Sequence, residues 1–406
     1  MSNDPQTSRR SFIKTALAVP VALSLGSVLQ AQTAAPAPAG NAGVLPKRKL
    51  GKNGPEVTMI SLGGMMVALS PDYLDMAWAM GIRYFDTSDC YLGRRSEKII
   101  GEWLAKYPER RKQIFLVSKD HPKQGPEQLL EMIDRRLEAC GTDYLDLFLI
   151  HGLGPKEYGE GSIEWPRSDV FKKVADKLKS SGKAKMVGFS CHDGKLVDYL
   201  NASAAGGIVD AIMLKYTPFF KPGDAFDQAL TACHKAGVGL VAMKTMRSAG
   251  EVPVRIPEFD KLGLTTHQGL LQAVFSDTRI SAVCSMIENV GQMETNTAAA
   301  RSYKQPLKLS DVEVLRQTVL AHRRTMCPGC PSCDAFSAAT GFAFLDISRF
   351  VTYYEQDGRL GAKDLYHELS AADRDHSRVD LAALRDGCSF QTDYPEIIRR
   401  AERYFA

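Results

Sequence analysis

Four side chains able to exchange protons or carry charge stand where apolar runs of this 406-residue chain give way to polar residues. The run Ile82–Phe85 ends in Asp86, and Tyr91 follows five positions later. Ile114–Ser118 runs into Lys119, and Leu145–Ile150 runs into His151. In a barrel of parallel strands, reactive groups sit at the carboxyl ends of the strands, so these four mark a reactive centre on three successive strand ends. A second grouping lies far downstream, where Cys327, Cys330 and Cys333 form C-x₂-C-x₂-C, the first part of a ferredoxin-like ligand run. Ser337 occupies the place of the usual fourth cysteine, and Cys388 is the remaining thiol of the tail. Three readings stand for this quartet: a [4Fe–4S] cluster, which the spacing favours, a structural zinc ion, or oxidised thiols.

The elements needed to position the first group follow from the rhythm of the chain. Apolar runs at 58–63, 83–87, 114–119, 145–151, 185–190, 211–216, 239–244 and 282–287 alternate with amphipathic helical stretches. Eight such strand–helix units in about 250 residues predict an α/β protein built on a closed (β/α)8 TIM barrel. An open doubly wound sheet would carry a glycine-rich fingerprint after its first strand, and Leu62-Gly63-Gly64-Met65 lacks it. Beyond Ser302 only helical patterns remain, which predicts an α-helical C-terminal extension over 303–406 after a barrel over 47–302.

The N-terminus adds an address. Arg9-Arg10-Ser11-Phe12 precedes a moderately apolar run and the small residues around Ala31, which reads as a twin-arginine signal peptide over 1–31. An Ala/Pro-rich linker is expected over 32–46. The expected location is therefore periplasmic or exported, with the twin-arginine export machinery as a transient partner and no stable membrane insertion after cleavage. A net charge of +4 with both signs dispersed excludes nucleic acid as a partner class. Five of the nine cysteines (Cys90, Cys140, Cys191, Cys233 and Cys284) stand singly in apolar or strand-like contexts and read mostly as small core residues.

The strand ends resemble those of the aldo-keto reductase family over most of the stretch from Arg48 to Ala300. Phe85-Asp86-Thr87-Ser88 with Tyr91, Ser118-Lys119 and Leu149-Ile150-His151 are similar to its Asp, Tyr, Lys and His tetrad, and Arg48–Val57 with Ser61–Met65 looks like its opening hairpin and first strand. The resemblance implies an oxidoreductase that moves hydride between a nicotinamide cofactor, NAD(P)H, and a small carbonyl or alcohol substrate. The chemistry of the residues agrees. A phenol titrates near 10, so Tyr91 as proton donor needs help, which a Lys119 ammonium held by Asp86 would give by lowering that value. A neutral His151 would orient the carbonyl oxygen.

The resemblance also implies a cofactor set of Gly63, Gly64, Ser190, Cys191, Met213, Lys244 and Asn296. Cys191 stands where the family usually has Asn, Met213 where Gln is common, and Lys244 where many members carry a stacking aromatic residue. Met286 and Gln292 stand near the places of the basic residues that grip a 2′-phosphate, which argues against tight NADPH selectivity. The cysteine tail resembles, in degenerate form, the iron–sulfur extension of a subset of the family. The alternative from another class is a non-catalytic or electron-transfer barrel that uses a Cys-ligated cluster.

Overall fold

Strand parity decides what this barrel presents at its mouth. In the computed structural model, which describes residues 43–65, 69–245, 255–322, 340–357, 361–386, 388 and 392–405, an antiparallel pair, β1 (Lys47–Lys49) and β2 (Glu56–Thr58), precedes the barrel. Eight parallel strands then close on themselves in chain order: β3 (Ile60–Gly63), β4 (Tyr84–Asp86), β5 (Phe115–Asp120), β6 (Leu145–Ile150), β7 (Ala184–Cys191), β8 (Ala211–Lys215), β9 (Gly239–Met243) and β10 (Ile280–Ser285), with β10 pairing back onto β3. The expected (β/α)8 fold is the observed one.

Side chains on a strand alternate between two faces, so every second residue faces the barrel axis. Tyr84, Phe115, Val117, Leu147, Leu149, Met186, Met213 and Val241 fill the interior as one apolar cluster. Two residues further along the same faces come Asp86 after Tyr84, Lys119 after Val117 and His151 after Leu149. The intervening Phe85, Leu116, Phe148 and Ile150 pack outward in the layer shared with the helices. The floor of the site is thus apolar, and the polar groups begin where that filling stops.

The helices form for ordinary reasons. Ser168 caps the helix Asp169–Ser180 by accepting from Phe171 N–H, and Thr265 with Gln268 forms a capping box on Thr266–Ser276. Leu129–Cys140 ends at Gly141, whose φ of 59° suits a left-handed C-terminal cap. At the entry to the barrel, Leu45 is buried and its N–H bonds to Gly81 O at 3.0 Å, so the end of the expected linker is built into the core.

The described part of the tail is built of helices, as its pattern implies. Phe344–Asp357 and Tyr394–Phe405 pack together, and Phe342, Phe344, Ile347, Val351, Ile397 and Phe405 form a core with Phe259, Leu264 and Leu270 from the barrel's own helical layer. Each fully buried side chain of this size contributes about 1.5–3 kcal/mol, so the extension is fastened by the same apolar burial that holds the barrel.

Candidate active site

Asp86 and Lys119 meet at the top of the barrel. Their charged atoms lie 2.6 Å apart, and their side chains are 2% and 1% exposed. Lys119 Nζ also donates to Thr87 O at 2.7 Å and to the Tyr91 hydroxyl at 3.3 Å. It further lies 4.6 Å from the centre of the Tyr91 ring. The loop after β4 holds Tyr91 in place: Arg95 N–H and Ser96 N–H bond to its carbonyl, and Leu92 and Arg94 take φ of 52° and 71°. Such left-handed backbone at non-glycine residues is uncommon and gathers at working sites.

Gly64 belongs to this arrangement. Its N–H bonds to Asp86 O at 2.7 Å, and a Cβ there would lie 2.6 Å from both Asp86 O and Ser96 Oγ. Only glycine lets β3 approach the backbone of Asp86 so closely.

His151 stands edge-on to Tyr91, with ring centres 5.5 Å apart. Its Nδ1 is 2.8 Å from Ser88 Oγ, and its backbone N–H bonds to Asp120 O at 2.8 Å. Burial holds the imidazole pKa down to about 4, so the ring is neutral at pH 7. Burial raises the Tyr91 phenol, and the Lys119 ammonium beside it pulls the other way without overcoming that rise. The net lowering of the phenol expected from the sequence is therefore absent in the free protein, because desolvation of the phenolate outweighs one cation. Burial also works against the Lys119 ammonium, but Asp86 and Tyr91 prevail and the amine stays charged.

The residues expected to hold a cofactor divide. Gly63 ends β3 and Gly64 follows it, Ser190 faces the mouth from β7, and Ser190 Oγ accepts from Gly152 N–H at 2.8 Å. Met213 pairs with Ser190 across β7 and β8 but lies in the apolar filling below the mouth. Lys244 follows β9 with a left-handed φ of 61°. Asn296 is buried on Val290–Ser302 and donates to Ser285 Oγ at 3.0 Å. Cys191 is fully buried in the layer between strands and helices, one parity step from Ser190 and facing away from the mouth. Gln292 Oε1 accepts from Glu288 N–H at 2.8 Å, while Met286 is exposed.

Cys388 is a buried free thiol 3.6 Å from Thr392 Oγ1, inside the apolar cluster of the extension. Cys327, Cys330 and Cys333 lie outside the described residues, as does the whole of the expected signal peptide. No helix among the described residues is long and apolar enough to cross a membrane.

Sequence reasoning missed three groups that the fold adds. Asp89 and His121 join the histidine, with His121 Nδ1 3.2 Å from Asp89 and the His121 and His151 ring centres 4.4 Å apart. Strand parity would have found Lys215, an inward-facing buried lysine at the end of β8. Asp346 and Arg349 of the extension, together with His121 and His151, line a cavity of about 690 Å³. No local pattern connects residues 346 and 349 to strand ends more than 190 positions away, so that wall was not legible.

Comparison with known proteins places the fold. The aldo/keto reductase family model matches residues 61–252. L-galactose dehydrogenase of Arabidopsis thaliana is 26% identical over 270 residues, covering 60% of this chain and 82% of its own. Among solved structures, an aldo-keto reductase from Bacillus halodurans in its holo form aligns with a TM-score of 0.52 at 21% identity, over 68% of this chain and 96% of that one. An aldo-keto reductase from Klebsiella pneumoniae in complex with NADPH aligns with a TM-score of 0.52 at 20% identity, over 68% and 95%.

Proposed function

We propose, for this oxidoreductase of the aldo/keto reductase family, a reversible carbonyl reduction in which Tyr91 exchanges the proton on the substrate oxygen. The observation that carries this reading is the buried chain of contacts from Asp86 to Lys119 at 2.6 Å and from Lys119 to the Tyr91 hydroxyl at 3.3 Å. Burial keeps the proton on Tyr91 until charge develops on the substrate oxygen. The adjacent ammonium then stabilises the phenolate left behind, and Asp86 with Thr87 O fixes that ammonium in place. Neutral His151, with Nδ1 engaged by Ser88, positions the oxygen.

A bound nicotinamide supplies the hydride for the carbonyl carbon. The donor chemistry of the mouth fits such a group in part. Ser190 Oγ accepts from Gly152 and keeps its own proton for a carboxamide oxygen. Asn296 uses its amide nitrogen on Ser285 and has no contact among the described ones at its carbonyl oxygen, which suits an amino group of adenine. Cys191 does not fit, because it faces the helices. Gln292 is turned into the start of its own helix and Met286 is apolar, so neither offers a cation to a 2′-phosphate.

Two further parts complete the proposal. Cys327, Cys330, Cys333 and Cys388 share one metal centre, with [4Fe–4S] the favoured occupant and zinc the second; four thiolates suit either. The paired arginines direct the folded protein through the twin-arginine route to a periplasmic or external location, which fits a centre assembled in a reducing compartment. Replacing Tyr91 by Phe tests the catalytic part: carbonyl turnover should fall while nucleotide binding persists.

A further inference from the structure

His151 also belongs to a second set of side chains, of which the other three, Asp89, Cys90 and His121, have no part in hydride transfer. Asp89, Cys90, His121 and His151 each present one ligand atom, and all four atoms lie within 4.8 Å of one another. Asp89 Oδ1 is 3.2 Å from His121 Nδ1 and 3.8 Å from His151 Nδ1, while Cys90 Sγ is 3.8 Å from His151 Nδ1. Tetrahedral zinc with bonds of about 2.0–2.3 Å has ligand–ligand edges of about 3.3–3.8 Å, so these three separations are close to those of a coordination shell, and the other pairs, within 4.8 Å, draw in by up to about 1 Å on binding.

We propose that Asp89, Cys90, His121 and His151 bind a thiophilic divalent transition metal of the Zn²⁺ class. The set has one carboxylate, one sulfur and two imidazoles, a mixture that suits Zn²⁺ and Co²⁺ and disfavours Mg²⁺ or Ca²⁺. Its donors come from three strand ends, the loop after β4, the residue after β5 and the residue after β6, so the barrel fixes their spacing. His121 and His151 line the 690 Å³ cavity, which gives an ion its path. Cys90, grouped by its sequence context with the core cysteines, is instead the exposed thiol among the described free cysteines, because it lies in the loop after β4 and not in a strand. On binding, the Cys90 S–H proton leaves to solvent as the metal–sulfur bond forms. The Ser88 hydroxyl releases His151 Nδ1 and keeps Asp89 Oδ1, 2.8 Å away, as its partner. A metal on Nδ1 leaves the ring proton on Nε2, fixing one tautomer. This site rests on the strand-end geometry and stands whether or not Tyr91 is the proton donor.

The test reads Cys90 itself. The full-length chain is stripped with a chelator, titrated with Zn²⁺, and alkylated with iodoacetamide, and labelling of each cysteine is mapped by mass spectrometry. Zn²⁺ should slow alkylation of Cys90 at least about tenfold, and His121→Ala should move the protecting concentration upward by about tenfold or more, since loss of even an outer-shell partner of a ligand costs that much. If His121→Ala fails to fold, Co²⁺ added to the native chain and to Cys90→Ser serves instead, since a thiolate-to-cobalt absorption band lost in Cys90→Ser reports this sulfur apart from those of the tail. Cys90 labelling unchanged at saturating Zn²⁺, protection with the same midpoint in His121→Ala, or cobalt spectra identical with and without Cys90 would each overturn the site.

Discussion

Asp86 and Lys119 form an ion pair of 2.6 Å at the end of the barrel's apolar filling, with almost none of either side chain exposed. The pair is stable only as a pair. Removing one partner leaves a charge buried without compensation, which costs about 3–5 kcal/mol. Asp86→Asn should therefore lower the unfolding free energy by about that amount in urea titrations and suppress turnover. The double variant Asp86→Asn with Lys119→Met should recover part of the stability and none of the activity. Equal stability of Asp86→Asn and the native chain would show that the lysine is neutral when buried.

Glu97 is buried between β5 and the helices, 2.5 Å from Ser118 Oγ and 3.2 Å from Arg136 Nε. Burial pushes its carboxyl up to about 7, with Asp89 and Asp120 adding to the rise and Ser118 and Arg136 opposing it. The folded state then holds this proton to a higher pH than the unfolded chain does. Between about pH 4.5 and 7 the folded protein binds more protons, so unfolding free energy falls as pH rises, by about 3 kcal/mol in all. Glu97→Gln should lack that fall. Denaturation at pH 5 and pH 8 measures it, and equal pH dependence in the two proteins would contradict the assignment.

Most of the barrel was legible because short apolar runs and amphipathic helical stretches are local signals. The four groups Asp86, Tyr91, Lys119 and His151 were legible for the same reason, as each ends or follows such a run. Cys191 was misjudged because a resemblance in sequence ignores the face of the strand, and β7 turns Ser190 inward and Cys191 outward. Asp89, Cys90 and His121 are neighbours in sequence of expected site residues. Their convergence on His151 depends on how β4, β5 and β6 stand side by side, which no single run encodes.

The proposed lack of nucleotide preference rests on the start of the helix Val290–Ser302. With Gln292 accepting from Glu288 N–H and Met286 apolar, no guanidinium or ammonium among these residues meets a 2′-phosphate. Fluorescence titration should give dissociation constants for NADH and NADPH within about tenfold of each other, since the strong charge-assisted contacts that separate them are missing. NADPH held a hundredfold tighter would contradict this.

The extension shapes the pocket through Arg349, whose Nη2 donates to Asp346 Oδ1 at 2.5 Å on the cavity wall. Arg349→Ala should raise KM by about tenfold and leave kcat within a factor of about two, the signature of lost binding that is uniform between ground and transition states. Steady-state kinetics on any accepted carbonyl checks it. An unmoved KM would remove the extension from substrate binding.

In the proposed reaction Tyr91 carries the proton. Single-turnover reduction of an accepted carbonyl should be about 10²–10⁴-fold slower in Tyr91→Phe than in the native chain, with nucleotide affinity nearly unchanged, as expected when a general acid is lost and the binding surface remains. A Tyr91→Phe chain that reduces the same carbonyl at close to the native rate would contradict the account.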